Sequence, residues 1–217
     1  MEGITVLVMG AAGGIGRQVV EVGLAAGHRV IAVVRNPSKL ALSHPLLTIV
    51  TGDVLKPATY EGHLSSATVV ISALGVAGGV TGDKPTTLYS EGNRCLLQAM
   101  ERTGARRVFV ISASAVEISP VLPWIVRLAA KYILQRLLRH MYADLRRMED
   151  LVRGSGVDWT IVRPPRLTNK PVTGRYRYAV NRFLRNALSI SRADLADLMI
   201  RHAEDGEMVR GVVEVGY

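Results

Sequence analysis

The residues best placed to do chemistry stand near the start of the chain. Residues 4–9 are a short apolar, β-branched run, and Gly10-Ala11-Ala12-Gly13-Gly14-Ile15-Gly16 follows directly, with G-x-x-G-x-x-G spacing. Glycines in such a turn let the backbone reverse sharply and approach a ligand closely. A helix opening there presents unpaired N–H groups and a partial positive charge. Between a buried strand and an amphipathic helix, the pattern predicts a pyrophosphate site built from Gly10, Ala12, Gly13, Gly14, Ile15 and Gly16.

A second run reads Val34-Arg35-Asn36-Pro37-Ser38-Lys39. A dinucleotide with a free adenosine ribose is commonly met here by a carboxylate. This chain supplies Arg35, with Lys39 a helical turn later, and a guanidinium can fork onto a phosphate. Both residues favour the 2′-phosphate of NADP(H), which is the expected cofactor. Asp53 and Val54 follow a third apolar run and could address the adenine, although Asp53 suits a helix N-cap equally well. Ala73, Leu74 and Gly75 follow a fourth, where small residues let the backbone approach ribose and phosphates.

Such a site needs strands whose carboxyl ends line up. Apolar runs at 4–9, 29–34, 47–50, 68–72, 108–112, 159–162 and 212–215 predict strands, most of them buried on both faces. Helical spacing at 17–26, 85–102, 121–153 and 191–202 separates them. This alternation predicts an α/β, Rossmann-type doubly wound parallel sheet with helices on both faces. The expected arrangement is one NAD(P)-binding domain over residues 1–217. Its tail, broken by Pro164-Pro165 and Pro171-Val172-Thr173-Gly174, is expected to form a small substrate lobe.

Composition narrows the class further. The 217 residues carry a formal charge of +9. Mean hydropathy is +0.21. No run of about eighteen apolar residues predicts a membrane span, and no basic leader precedes the first strand. Cys95 is the lone cysteine, which excludes a disulfide framework. Metal-ligand spacing is absent, so no metal is expected. The basic excess suits a polyphosphate ligand, and no nucleic-acid motif accompanies it. The expectation is a cytoplasmic protein acting on a small molecule, with a homodimer left open.

On these residues the chain resembles the atypical short-chain dehydrogenase/reductases, in the NAD(P)H-binding branch with NmrA-like and flavin reductase/biliverdin-IXβ reductase-like proteins. The resemblance covers the glycine turn, Val34 to Lys39, Gly52-Asp53-Val54 and Ser90-Glu91-Gly92. It continues through Ser155-Gly156-Val157-Asp158-Trp159-Thr160, Arg163-Pro164-Pro165, Pro171-Val172-Thr173-Gly174 and Ser191-Arg192-Ala193-Asp194-Leu195-Ala196-Asp197. It implies a Rossmann fold with NADPH across the strand ends, touching Ser112 and Pro164, and a small substrate over the nicotinamide. Many superfamily members act through a serine, a tyrosine and a lysine four residues after the tyrosine. Here Ser112 and Ser114 stand in a suitable place, while Tyr142 is followed by Arg146, which cannot relay a proton. Where flavin reductase relatives carry histidine after the two prolines, this chain has Arg166, which suits an anionic substrate.

The implied function is an NADPH-dependent reductase acting on a flavin-, quinone- or carbonyl-type acceptor. A non-catalytic NADP(H) sensor or scaffold, or a non-redox isomerase or cyclase, remains an alternative on the same fold. Residues 121–153 combine apolar Trp124, Leu128, Tyr132, Leu137, Met141, Leu145 and Met148 with Arg127, Lys131, Arg139, Arg146, Arg147 and Arg153. They predict one or two helices packing on the sheet. A lid, a dimer contact or attachment to an anionic membrane are sharper readings.

Overall fold

Short β-branched runs without polar alternation need cover on both sides, and the central strands of this protein receive it. The computed structural model describes residues 3–66, 68–76, 85–118, 120–121, 124–129, 132 and 135–217. The first half of the chain forms β1 (Thr5–Met9), α1 (Gly14–Ala25), β2 (Arg29–Val34), β3 (Leu47–Thr51), β4 (Thr68–Ser72), α2 (Leu88–Thr103) and β5 (Arg107–Ile111). After it come α3 (Trp124–Ala129), α4 (Gln135–Leu137), α5 (Arg139–Arg153), β6 (Asp158–Arg163) and β7 (Arg166–Thr168). The chain ends with β8 (Arg177–Val180), β9 (Ser189–Ser191), α6 (Arg192–Arg201) and β10 (Gly211–Gly216).

Eight strands form one sheet in the order β3-β2-β1-β4-β5-β6-β10-β8. All pairs are parallel except the last, where β8 runs antiparallel to β10 at the edge. The order reverses between β1 and β4, so a crevice opens at their carboxyl ends. Helices α1 and α6 cover one face, burying Val19, Val20, Leu195 and Leu198 against Val6, Val8 and Phe109. Helices α2 and α5 cover the other with Leu96, Met100, Leu145 and Met148 against Leu7, Val70 and Val108. Each such side chain contributes about 1.5–3 kcal/mol through burial.

Small residues set how closely these layers approach. A Cβ on Gly23 would stand 3.2 Å from Val30 Cγ2 and 3.4 Å from Ile200 Cδ1, so α1 can lie tightly between β2 and α6. Between α2 and α5, the Asp144 carboxylate accepts hydrogen bonds from Ser90 Oγ at 2.5 Å and Tyr89 N at 3.0 Å. That buried carboxylate fixes the start of α2 beneath the crevice.

The sheet and its flanking helices follow the sequence expectation, with three differences. Helix α1 begins at Gly14 rather than 17, because the glycine turn itself supplies its first residues. The one or two helices expected over 121–153 are three segments, and among the described residues it is α5 that buries side chains against the sheet. Trp124 is 68% exposed, and Ile125, Leu128, Tyr132 and Leu137 are exposed too. Lys131, counted on the basic face, lies outside the described residues. In the tail, β10 and β8 extend the main sheet, and only β7 and β9 form a separate two-stranded piece. No helix among the described residues is long and apolar enough to cross a membrane.

Candidate functional site

Strand β1 ends at Met9, and Gly10 turns the chain with φ +79°. A Cβ at Gly10 would lie 2.6 Å from the Ala73 carbonyl oxygen, so only glycine lets β1 and the end of β4 approach this closely. Gly13 N donates to Gly10 O at 2.9 Å, and Arg17 N donates to Gly13 O at 2.8 Å as the first helical bond. Gly13 is the N-cap of α1, and no side chain caps that end. The N–H groups of Gly14, Ile15 and Gly16 therefore lack intrahelical acceptors. Gly13 and Gly14 are exposed, with Ala12 and Ile15 partly so.

An arginine from the far end of the chain lies over this turn. The Arg192 guanidinium approaches Gly14 so closely that an added Cβ would stand 2.9 Å from Nε. Its Nη1 donates to Asn169 Oδ1 at 2.6 Å. A cation beside a helix N-terminus is unfavourable unless an anion lies between them. Bare N–H groups, a cradle that any Cβ would narrow and a misplaced cation together fit a bound pyrophosphate. Arg192 carried no role in the sequence reading, because its distance from the loop in sequence exceeds 170 residues; only the register of β9 and α6 brings them together.

The end of β2 presents Arg35, and Lys39 closes the one-turn 3-10 helix at Pro37–Lys39; both are exposed. Asn36 Oδ1 accepts from Ser38 N at 3.1 Å, which caps that turn and leaves both cations in solvent. Neither takes part in an ion pair among the described residues. Asp53 does not cap the turn at Pro57–Thr59, whose N-cap is Lys56. Instead its Oδ1 accepts from Leu55 N at 3.1 Å, closing a local turn in which Lys56 N donates to Asp53 O. Val54 is buried, and Ala73, Leu74 and Gly75 continue β4 with rising exposure. Gly92 lets α2 reach these ends, since its Cβ would stand 2.8 Å from Leu74 Cδ1 and 3.1 Å from Val54 Cγ1.

At the end of β5, Ser112 N donates to Val162 O at 2.8 Å, and Ser112 Oγ donates to Glu149 Oε1 at 2.6 Å. Arg163, the last residue of β6, forks onto the same carboxylate through Nε at 2.9 Å and Nη2 at 2.6 Å. Its Nη1 reaches Glu117 at 2.7 Å. Burial pushes the Glu149 carboxyl up, but the bonds from Arg163 and Ser112 outweigh it and hold the group below its ordinary range. Burial likewise works against the Arg163 charge, and the two carboxylates more than restore it. The sequence reading gave no role to Glu149 and quoted Arg163 only within the Arg163-Pro164-Pro165 motif, since ions fourteen residues or more apart in sequence carry no local signature.

Ser114 opens a short turn and is partly buried, its N–H donating to Pro164 O at 3.0 Å. Tyr142 is 4% exposed, and burial raises its phenol pKa, away from a proton-accepting phenolate. Arg146 does not counter this, because its guanidinium turns to the Val116 carbonyl at 3.2 Å. Pro164 is buried beside the crevice edge, and Arg166 stands exposed at the start of β7. The strand ends thus bring together the glycine turn, Ala73 to Gly75, Ser112, Ser114 and Pro164, while Tyr142 is buried in the core on the inner face of α5.

Known proteins place this geometry in a family. The NAD(P)H-binding family's sequence profile matches residues 10–206. An uncharacterized chloroplastic protein of Arabidopsis thaliana, At2g34460, is 31% identical over 217 residues, covering 97% of this chain and 75% of that protein. Among solved structures, a wide-type short-chain dehydrogenase/reductase from Veillonella parvula in complex with NADP superposes with TM-score 0.81 at 18% identity. That match covers 99% of this chain and 94% of the other. ChuY, an anaerobillin reductase from Escherichia coli O157:H7, superposes with TM-score 0.74 at 21% identity, over 98% and 96%. The structural likenesses speak for the shared Rossmann fold. With the profile spanning the glycine turn through α6, this chain belongs to the NAD(P)H-binding family.

Proposed function

We propose that the protein is an NADP(H)-dependent reductase that passes hydride to a small flavin-, quinone- or carbonyl-type acceptor. The observation that carries the cofactor reading is the pairing of two anion sites along one strand edge. Bare N–H groups at α1 lie under Arg192, and Arg35 with Lys39 stand unpaired at the end of β2. The chain's own residues divide the work. Gly10 to Gly16 and Arg192 hold the pyrophosphate, Arg35 and Lys39 hold the 2′-phosphate, and Asp53, Val54 and Ala73 to Gly75 line the adenosine side. NADP(H) supplies hydride transfer at its nicotinamide ring.

Ser112 is a positioning residue that can only accept from a bound ligand, because its proton is committed to Glu149. Glu149 is held ionised by Arg163 and is a poor proton donor near neutral pH. Tyr142, buried and shifted upward, is no better as a base. An acceptor that takes its proton from solvent, as a flavin or quinone can, fits this arrangement better than one needing a protein acid. Arg166, exposed beyond the two prolines, suits an acceptor carrying an anionic group.

The test is a fluorescence titration with NADPH and with NADH, followed by NADPH oxidation against flavin, quinone and carbonyl acceptors. NADPH should bind at least about tenfold more tightly than NADH, as a charge-assisted contact of ~1.5–3 kcal/mol requires. Equal affinities would remove the Arg35 assignment. Binding without turnover on any acceptor would replace the reductase by a cofactor sensor.

A further inference from the structure

A run of 26 residues without an acidic side chain lies between Glu117 and Asp144. Within it stand Arg127, Lys131, Arg136 and Arg139 among Trp124, Ile125, Leu128, Tyr132 and Leu137. In the folded protein the apolar members face outward. Trp124 is 68% exposed, Ile125 and Tyr132 62% each, and Leu137 59%. On α3, Trp124, Ile125 and Leu128 share one side, with Arg127 flanking them. Arg127 and Arg136 make no ion pair among the described residues, unlike Arg147, Arg153 and Arg163 on and beside α5.

A water-soluble surface rarely gathers this much exposed apolar area in one place unless something covers it. From the charge and side-chain types, we infer that the surface formed by Trp124, Ile125, Leu128, Tyr132 and Leu137, with Arg127 and Arg136, docks on an anionic lipid bilayer. Tryptophan and tyrosine favour the membrane–water boundary, where the ring is buried and the polar edge stays wet. Isoleucine and leucine enter the acyl region, and arginines on the same segment reach headgroup phosphates while their stems cover apolar surface. An acid-free run with a basic flank is the complement of a negative leaflet, and the whole-chain charge of +9 adds to the attraction.

Charge argues against the other occupants. A second copy in a two-fold contact would set the same cations against one another. A protein partner would have to bring a matching acidic surface to these cations. The surface shares no residue with the proposed cofactor site, so this inference does not rest on the reductase reading.

The experiment floats the full chain with vesicles of phosphatidylglycerol and phosphatidylcholine in equal parts, and with phosphatidylcholine alone. The protein has two tryptophans, and Trp159 is 7% exposed, so emission from Trp124 reports on this surface. Association with the anionic vesicles alone is expected, with a blue shift that persists in Trp159→Phe and weakens as salt rises. Trp124→Ser with Ile125→Ser should abolish it, and Arg127→Glu with Arg136→Glu should weaken it by on the order of tenfold. Both variants should keep the wild-type NADPH titration or, if that is silent, the wild-type melting curve. Three results would overturn the inference: no association, equal association with both vesicle types, or self-association that the Trp124 and Ile125 substitutions remove.

Discussion

At the scale of single residues, the proposed site assigns Arg35 and Arg192 to different phosphates of the dinucleotide, so their substitutions should separate. Arg35→Asp is expected to weaken NADPH by roughly 10–100-fold and leave NADH nearly unchanged, as loss of a charge-assisted contact of ~1.5–3 kcal/mol predicts. Arg192→Ala is expected to weaken both by similar factors, because the pyrophosphate is common to them. Parallel titrations of the two variants check this; equal losses in Arg35→Asp would show that the residue is only part of a solvated loop. Gly13 tests the turn itself. A Cβ there would lie 3.2 Å from Gly10 O, and its surroundings are otherwise open, so the fold should tolerate Gly13→Val. Binding of both dinucleotides should be lost while the thermal midpoint moves by only a few degrees, as for about 1 kcal/mol in a chain of this size. Undiminished affinity would remove the glycine turn from the site.

At the scale of elements, two buried carboxylates hold the crevice together from opposite faces of the sheet. Glu149 on α5 ties the ends of β5 and β6 through Ser112 and Arg163. Asp194 at the start of α6 accepts from Thr173 N at 2.7 Å, Gly174 N at 2.9 Å and Tyr217 OH at 2.5 Å. It thereby pins the tail's turn and the end of the chain to the helix that carries Arg192. Removing Glu149 would leave the Arg163 guanidinium buried with Glu117 as its remaining partner, a loss of about 3–5 kcal/mol. Glu149→Gln should therefore lower the melting temperature clearly and, by freeing Ser112, alter acceptor turnover more than cofactor affinity. Both carboxyls are held below their ordinary values in the folded protein. Their contribution is complete above the unfolded carboxyl pKa near 4 and is lost as pH falls through the lower folded values. Acid unfolding of Glu149→Gln should consequently be less steep than that of the parent.

At the scale of the whole molecule, one group has the opposite pH dependence. Glu214 on β10 is 6% exposed, and its Oε1 has no hydrogen-bond partner among the described residues. Burial raises its carboxyl pKa, with the Leu184 backbone bond and Arg163 only partly opposing. A raised folded value favours the fold below the unfolded pKa and loses that contribution as pH rises through the folded one. Glu214→Gln should then match or exceed the parent's stability at neutral and alkaline pH, measured by denaturant melts across the range. Lower stability at every pH would mean that the ionised carboxylate is needed where it stands. With Glu149 and Asp194 acting at the acid end, the parent should be most stable at mildly acidic pH.

Much of this fold is written in local pattern. Continuous apolar runs with glycine or proline at their ends marked most of the main strands within a residue or two, because burial on both faces leaves no room for polar alternation. The glycine turn was legible for a related reason: no other residue accepts the φ of Gly10 or its distance from Ala73. The position of Arg35 could be read because it sits immediately after its strand. Three features were not legible, and each depends on what meets what in three dimensions. The edge strand β8, Arg-Tyr-Ala-Val, is half exposed and lacks a continuous apolar run. Arg192 over Gly14, and Glu149 between Ser112 and Arg163, join residues that only strand order and helix register make neighbours. The outward apolar side of α3 differs again. Periodicity told that residues 121–153 have an apolar face, but whether a sheet covers that face is a property of the packed chain, and only Leu145, Met148 and their neighbours on α5 reach it.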